Sequence, residues 1–469
     1  MAGTSIRTGF LIAILALAIA PGARADDSGP IRYDIRFPMQ GDRIDAVEVR
    51  ATARAGVDGR IDFVAPWQGA AEVRAESGTL DTSSGGHWIM KAKPGDDIVL
   101  VWRTRPAQAW RRLDVSVWRS VLVRPDAVAA AGGALLALPD GARDRVAEVH
   151  WSAPPGWVVS TTFRQGMQTL GELGDGTFMM ALHGATATRT TNNNNTIRVM
   201  TLDPRRVDVE RVADDIASVV NKATPPAMQH DFTLNIVDLD GDDQSLSING
   251  RSMGAMVYLL PQVRYDTWVP FVIGAATMPA EDKVAPANAW YTQGFTAFHT
   301  LELTRDAGLA SPSTLAYLLN QATTQYGNSP VRRAPNRRVV EEYTAIRELR
   351  DLPPARGALF AMLLDDRIRK ATGGVRSLED ALGRMPALTD DPGPALIDAV
   401  AAVGGGDVTS LYRRYIVDGE LLQLPRDALA PCFTIGTVAD WGGWQTQHVF
   451  ARAGCGSGKT VAGYGGAPL

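Results

Sequence analysis

The hydrophobic pattern of this chain changes its period partway along, and that change restricts the folds available to it. From residue 26 to about 200, apolar and polar residues alternate in short runs such as 44–49 (IDAVEV) and 97–102 (DIVLVW). This alternation is typical of half-buried β-strands, and Gly- and Pro-containing turns separate the runs. From about residue 290 to 425 the apolar spacing is typical of helices instead. The sequence predicts an α+β multidomain protein, with a β-sandwich-like domain followed by a mainly helical one.

The change between the two patterns falls near residue 200. A helix is predicted over residues 207–220 and a strand over 232–237. A further helix is predicted from Ser311-Pro312, and another over residues 357–372 that ends at two glycines. The expected divisions are a targeting segment at 1–25, a β domain at 26–200, a helical domain at 201–425 and a tail at 426–469.

The first 25 residues have the three parts of a secretory signal. Arg7 supplies the positive charge, residues 10–20 are apolar, and Ala23-Arg24-Ala25 offers a cleavage site between Ala25 and Asp26. The apolar run is too short to span a membrane. We therefore expect an exported protein, periplasmic or secreted, without a stable membrane span.

The chain contains two cysteines, Cys432 and Cys455. In an oxidising compartment, two cysteines separated by 23 positions are expected to form a disulfide. The alternative is two buried free thiols. A zinc site is not expected from two cysteines without nearby histidines.

Charge and composition argue against one class of partner. The 469-residue chain has a formal net charge of −4, whereas a nucleic-acid-binding domain needs a basic surface. The hydrophobic content of 45% is ordinary for a globular protein, so the chain can form sizeable cores.

Several motifs lie in a common order along the helical part. Residues 290–298 read WYTQGFTAF, and 263–269 read VRYDTWV. Residues 357–369 read GALFAMLLDDRIR, and 411–419 read LYRRYIVDG. Together they resemble the glycyl aminopeptidase family, metallopeptidases with a thermolysin-like catalytic domain. Two shorter stretches, 65–69 (APWQG) and 154–159 (PPGWVV), are similar to motifs of that family's N-terminal β domain. The resemblance implies a β domain followed by a thermolysin-like domain.

At the positions where the family binds zinc, this chain carries other residues. The family has His-Glu-x-x-His in the first segment and Trp-x-x-Glu-Gly-Phe-Thr in the second, whose Glu is the third ligand. The resemblance places Tyr265, Asp266 and Val269 at the positions of the first motif and Gln293 at that of the ligand Glu. Zinc affinity depends on basic imidazoles and carboxylates, so we expect no catalytic zinc and no cofactor here. A Tyr-Tyr pair of the family is replaced by Pro353-Pro354.

These losses predict an exported homologue of metallopeptidases that is inactive and zinc-free, and that binds peptides or an exported protein. One alternative is an active peptidase with a metal site rebuilt from Asp266, Gln293 and His299. A second is a serine hydrolase in which Ser252, within the G-x-S-x-G of residues 250–254, is the nucleophile and His299 or His448 the base. A third is a scaffold partner of another exported protein.

Overall fold

The computed structural model describes residues 29–66, 72–105, 121–223, 231–238, 247–251, 254–259, 263–277, 285–343, 345–385, 391–439, 445–453 and 455, without the side chains of 247–251. The targeting segment, with its expected cleavage point between Ala25 and Asp26, lies outside these residues. So does Ser252.

The N-terminal part is built from short strands, as the alternating pattern predicts. In β4, for example, Val47, Val49, Ala51 and Ala53 point into the core while the residues between them are more exposed. The elements are β1 Ile31–Arg36, β2 Met39–Gln40, β3 Arg43–Ile44, β4 Val47–Arg54, β5 Arg60–Val64, β6 Glu72–Ser77, β7 Thr79–Asp81, β8 His87–Lys91, β9 Asp97–Thr104, β10 Val121–Arg124, β11 Ala127–Ala131, α1 Gly132–Leu135, β12 Leu138–Pro139, β13 Val146–Trp151, β14 Val158–Thr161, β15 Gly166–Thr169, α2 Leu170–Asp175 and β16 Thr177–Ala181.

These strands form three main sheets around one apolar core. The strand orders are β15-β13-β1-β4-β9-β6, β12-β5-β8-β7 and β10-β11-β16-β14. The core contains Tyr33, Phe63, Trp102 and Phe178, all less than 2% exposed. Two polar side-chain atoms in this core donate hydrogen bonds to the backbone: Tyr33 Oη to Ala137 O at 2.7 Å and Trp102 Nε1 to Leu135 O at 3.1 Å.

A five-stranded sheet joins the N-terminal part to the helical part. It consists of β17 Ala185–Thr190, β18 Thr196–Thr201, β19 Phe232–Asp238, β20 Ser247–Arg251 and β21 Gly254–Leu259, in the order β17-β18-β19-β21-β20. The strands β18, β19 and β21 are parallel, and α3 Val209–Val220 connects the first two of these. One face packs on α3 and α4 Tyr265–Thr277, and the other packs on β10, β11 and β16. The change expected near residue 200 thus falls inside this sheet.

The remainder is helical and has its own core. After a 3-10 turn (Pro286–Asn288) and a π-helical turn (Trp290–Phe295), the helices are α5 Thr296–Asp306, α6 Pro312–Asn328, α7 Asn336–Glu342, α8 Arg347–Ala371, α9 Leu378–Leu382, α10 Pro392–Ala402 and α11 Thr409–Tyr412, followed by a second π-helical turn (Arg413–Val417). The Ser311 hydroxyl caps α6 by accepting from Thr314 N at 3.2 Å. The expected α+β architecture, β-rich first and helical later, is confirmed. No helix within the described ranges has the length and apolar character needed to cross a bilayer.

The C-terminal segment forms a hairpin on α6. It consists of β22 Phe433–Ala439 and β23 Gln445–Ala451, and Asn320 of α6 makes two hydrogen bonds to the backbone of Val449, at 2.8 and 2.6 Å. Cys432 and Cys455 are joined as a disulfide, with their Cα atoms 5.3 Å apart. The hairpin therefore completes the helical core, to which it contributes Phe433 and Val449.

Candidate functional site

Tyr265 is the first residue of α4, and its side chain packs against α3. Its ring is buried, its hydroxyl donates to Asp215 Oδ2 of α3 at 2.5 Å, and the Arg211 guanidinium lies 4.5 Å from the ring centre. A cation over an aromatic face and a phenol–carboxylate hydrogen bond both stabilise this position. The Tyr265 hydroxyl therefore joins α4 to α3.

Neither Asp266 nor Val269 is available to bind a metal. Both Asp266 carboxylate oxygens accept from the Arg264 guanidinium at 3.0 Å. Val269 is fully buried in the core between α3, α4 and the five-stranded sheet. The helix α4 contains no histidine, and Asp266 is its single carboxylate. In no register can this helix supply two imidazoles to a metal.

Gln293 lies in the π-helical turn before α5. Its side chain is half-buried and makes no hydrogen bond within the described residues. The turn touches α8 through its backbone, since a Cβ on Gly294 would lie 2.6 Å from Gly357 Cα and one on Gly357 would lie 1.7 Å from Trp290 O. Such π-helical turns are frequent at functional sites. Here the turn is held by backbone-to-backbone packing.

The structure separates Gln293 from the first segment. The last residue of α4, Thr277, hydrogen-bonds through its hydroxyl to that of Thr300 in the first half of α5 at 2.8 Å, whereas the ring of Phe271, six residues earlier in α4, lies 6.1 Å from that of Tyr317 in α6, which follows the end of α5. The helices α4 and α5 therefore run in opposite directions. At 1.5 Å per residue, Val269 and Gln293 lie roughly 20 Å apart along the helix axes.

Zinc does not fit this set of residues. A catalytic zinc needs three protein ligands that converge from nitrogen, sulfur or carboxylate atoms. Tyr265 and Asp266 are occupied by protein partners, Val269 has no donor, and Gln293 is distant from all three. In the part of the chain that the structure describes, no three His, Cys, Asp or Glu side chains are grouped closely enough to hold a metal ion.

His299 lies on α5, six positions after Gln293. It lines a small cavity with Glu302, Asp365 and Glu379, between α5, α8 and α9. Asp266 is instead paired with Arg264 at the start of α4. The set Asp266, Gln293 and His299 is therefore not assembled. Burial lowers the pKa of His299 to about 4, so this imidazole is neutral at physiological pH.

The buried His299 predicts a pH dependence of stability. Its pKa of about 4 in the folded state is below the roughly 6.5 of an unfolded chain. The stability it contributes is therefore fully present above pH 6.5 and is lost as the pH falls toward 4, by about 3 kcal/mol. We expect His299→Gln to remove this part of the loss, measured by urea unfolding between pH 7.5 and 4.5. The exposed His183, changed to Gln, is the matched control. Equal losses in wild type and His299→Gln would contradict the assignment.

The G-x-S-x-G motif lies in a β-hairpin. The strands β20 and β21 on either side of Ser252 are antiparallel, with Arg251 paired to Gly254. A nucleophile elbow requires a strand followed by a helix, and this context is absent from the described flanks. In this chain the strand β21 follows the motif, at the place where a hydrolase would have a helix.

Sequence reasoning did not identify a charged cavity between α5 and α8. Glu302 and Arg305 on α5 meet Asp365 and Arg369 on α8, and all four line one cavity. The sequence does show the two pairs, because Glu302 and Arg305 are three positions apart and Asp365 and Arg369 are four, which places each pair on one helix face. That the two helices bring the pairs together could not be read from one sequence.

The fold has counterparts among solved structures. An aminopeptidase N family protein from Idiomarina loihiensis superposes with a TM-score of 0.56, covering 87% of this chain and 79% of its own at 14% identity. An M1 zinc metallopeptidase from Deinococcus radiodurans covers 86% of this chain and 96% of its own at 13% identity, with a TM-score of 0.43. No family model and no curated protein matches the chain in sequence. The first likeness shows a shared fold, that of an aminopeptidase N family protein.

Proposed function

We propose that this chain is an exported, zinc-free and non-catalytic protein on a metallopeptidase-type fold, and that it binds a peptide or an exported protein. The observation that carries the proposal is the use of Tyr265 and Val269 in the core that joins α4 to α3. The side chains at two positions where a zinc peptidase has metal ligands are here buried between α4 and α3. The motifs shared with glycyl aminopeptidases support descent from that kind of enzyme.

A protein can bind a peptide without the groups that catalyse its hydrolysis. Binding an extended chain depends on backbone hydrogen bonds and on pockets for side chains, which are different groups from those that activate water.

The first experiment measures metal and activity in the purified mature protein. We expect no stoichiometric zinc after incubation with zinc and dialysis, and no hydrolysis of glycyl or alanyl aminopeptidase substrates. Stoichiometric zinc with turnover that Gln293→Ala abolishes would overturn the proposal in favour of a rebuilt metal site. Labelling by a serine-reactive phosphonate probe, lost in Ser252→Ala, would overturn it in favour of a hydrolase.

A further inference from the structure

A cavity of about 190 Å³ lies between α5, α6, α8 and residues 428–433, on the side of α5 away from α4. Its apolar wall consists of Phe298, Leu315, Leu319 and Phe433. This volume is below the roughly 300–1,000 Å³ of a pocket for a drug-sized molecule. The cavity therefore suits a group about as large as one amino-acid side chain.

One wall of the cavity is held by the disulfide. Residues 428–433 run along it, and Cys432 within them is bonded to Cys455. The backbone nitrogen of Arg452 also donates to Cys432 O at 2.8 Å. The covalent bond ties this segment to the end of the hairpin that packs on α6.

The carboxylates at the charged end are already bound by protein groups. Glu302 accepts from Arg305 Nη1 through one oxygen and from Arg369 Nη2 at 3.0 Å through the other. Asp365 accepts from Arg369 Nε at 2.5 Å and from Leu378 N at 2.8 Å. Both acids are mostly buried, with side chains 19% and 5% exposed. Neither has an oxygen left without a partner for an incoming cation.

The two guanidinium groups differ in their open donors: Arg305 pairs with Glu302 through Nη1 and with Asp306 through Nε and Nη2, whereas Arg369 keeps one nitrogen open in the part of the chain that the structure describes. The Arg305 and Arg369 side chains are 37% and 36% exposed. Arg369 uses Nε and Nη2 toward the protein, and its Nη1 makes no hydrogen bond within the described residues. A guanidinium has five N–H groups in a planar fork that matches a carboxylate.

We propose that this cavity binds a carboxylate carried on an apolar group. The carboxylate accepts from the open Nη1 of Arg369, and the apolar group fills the space against Phe298, Leu315 and Leu319. An ammonium group would meet guanidinium groups of its own sign and carboxylates already occupied. Resting on the proposed binding role, the natural ligand is the C-terminus of a peptide that ends in an apolar residue.

The test is a calorimetric titration of the full mature chain with matched compounds. We expect N-acetyl-leucine and the tripeptide N-acetyl-Ala-Ala-Leu to bind, and leucinamide and N-acetyl-leucinamide to bind at least tenfold more weakly. Equal binding of leucinamide and N-acetyl-leucine would overturn carboxylate recognition. Binding of the tripeptide amide without binding of N-acetyl-leucine would leave the peptide-binding role standing and remove this cavity as its site. Binding of N-acetyl-leucine but not of the tripeptide would support the cavity and contradict peptide binding.

Two variants test the site itself. Arg369→Gln removes the open Nη1 and is expected to weaken N-acetyl-leucine binding at least tenfold. Because Arg369 also holds Glu302 and Asp365, a second variant, Leu315→Phe, reduces the cavity volume and leaves the charges in place; it should weaken binding similarly. Wild-type affinity in a folded Leu315→Phe protein, checked by its melting temperature, would overturn the location.

Discussion

Replacing Gly357 with alanine is expected to lower the free energy of unfolding by at least about 4 kcal/mol, among the largest losses for a single substitution. A Cβ at this position would lie 1.7 Å from the carbonyl oxygen of Trp290 and 3.0 Å from its Cα. These are backbone atoms, so the clash is relieved only by moving α8 away from the π-helical turn. The measurement is urea unfolding followed by far-UV circular dichroism.

The matched control is Gly274→Ala in α4. This glycine is also within a helix, but a Cβ there would meet no atom within 4 Å. Alanine is favoured over glycine in helices by up to about 1 kcal/mol, so this variant should be as stable as the wild type or more so. If both substitutions lowered stability alike, close backbone contact would not be the cause at Gly357.

Putting back the residues that a zinc peptidase would have is expected to fail. We expect the triple variant Tyr265→His, Val269→His and Gln293→Glu to bind no stoichiometric zinc, because positions 269 and 293 lie roughly 20 Å apart along the helices. It should also lose at least about 4 kcal/mol of stability, since one change removes the hydrogen bond to Asp215 and another places an imidazole in an apolar core. Zinc content and urea unfolding are the two measurements.

The single variant Gln293→Glu is the control for the changes in α4. Gln293→Glu alone changes a half-buried side chain that makes no hydrogen bond within the described residues, so a small change in stability is expected. Tight zinc binding by the triple variant, but not by Gln293→Glu, would mean that α4 and the π-helical turn do meet at these positions.

Local elements were largely predictable because their signals are local. The alternation of β4 and the Ser311 cap of α6 depend on residues that are neighbours in the chain. The start of α8 was not predictable in this way. A helix was expected from residue 357, whereas it begins at Arg347 and contains Pro353 and Pro354. Each proline removes a backbone donor. Burial of Leu349 and Leu352 in the helical core offsets that loss.

The structural context of a short motif also depends on tertiary packing and is not predictable from the motif alone. The five residues 250–254 match a nucleophile elbow by spacing alone, but whether a strand or a helix follows depends on the partner that β21 finds. In the structure β21 pairs with β19 on one side and β20 on the other. A short apolar run does not specify that choice, because buried strands and buried helices share the same composition.

The sequence by itself determined which metal-binding donors are present in residues 263–298. Residues 263–298 contain no histidine, and no choice of register changes which donor atoms α4 carries.

 The nearest histidine, His299, follows that stretch. Ligand identity is a property of the residues alone, and the missing imidazoles could be read without a structure.

Only the tertiary structure decided where the remaining groups lie. It placed Tyr265 against Asp215, Gln293 on a turn packed against α8, and two arginines beside an apolar cavity. These contacts join segments that are tens of residues apart, and they depend on how helices and sheets pack. Helix periodicity shows which face of each element is apolar, but not which other element will cover it.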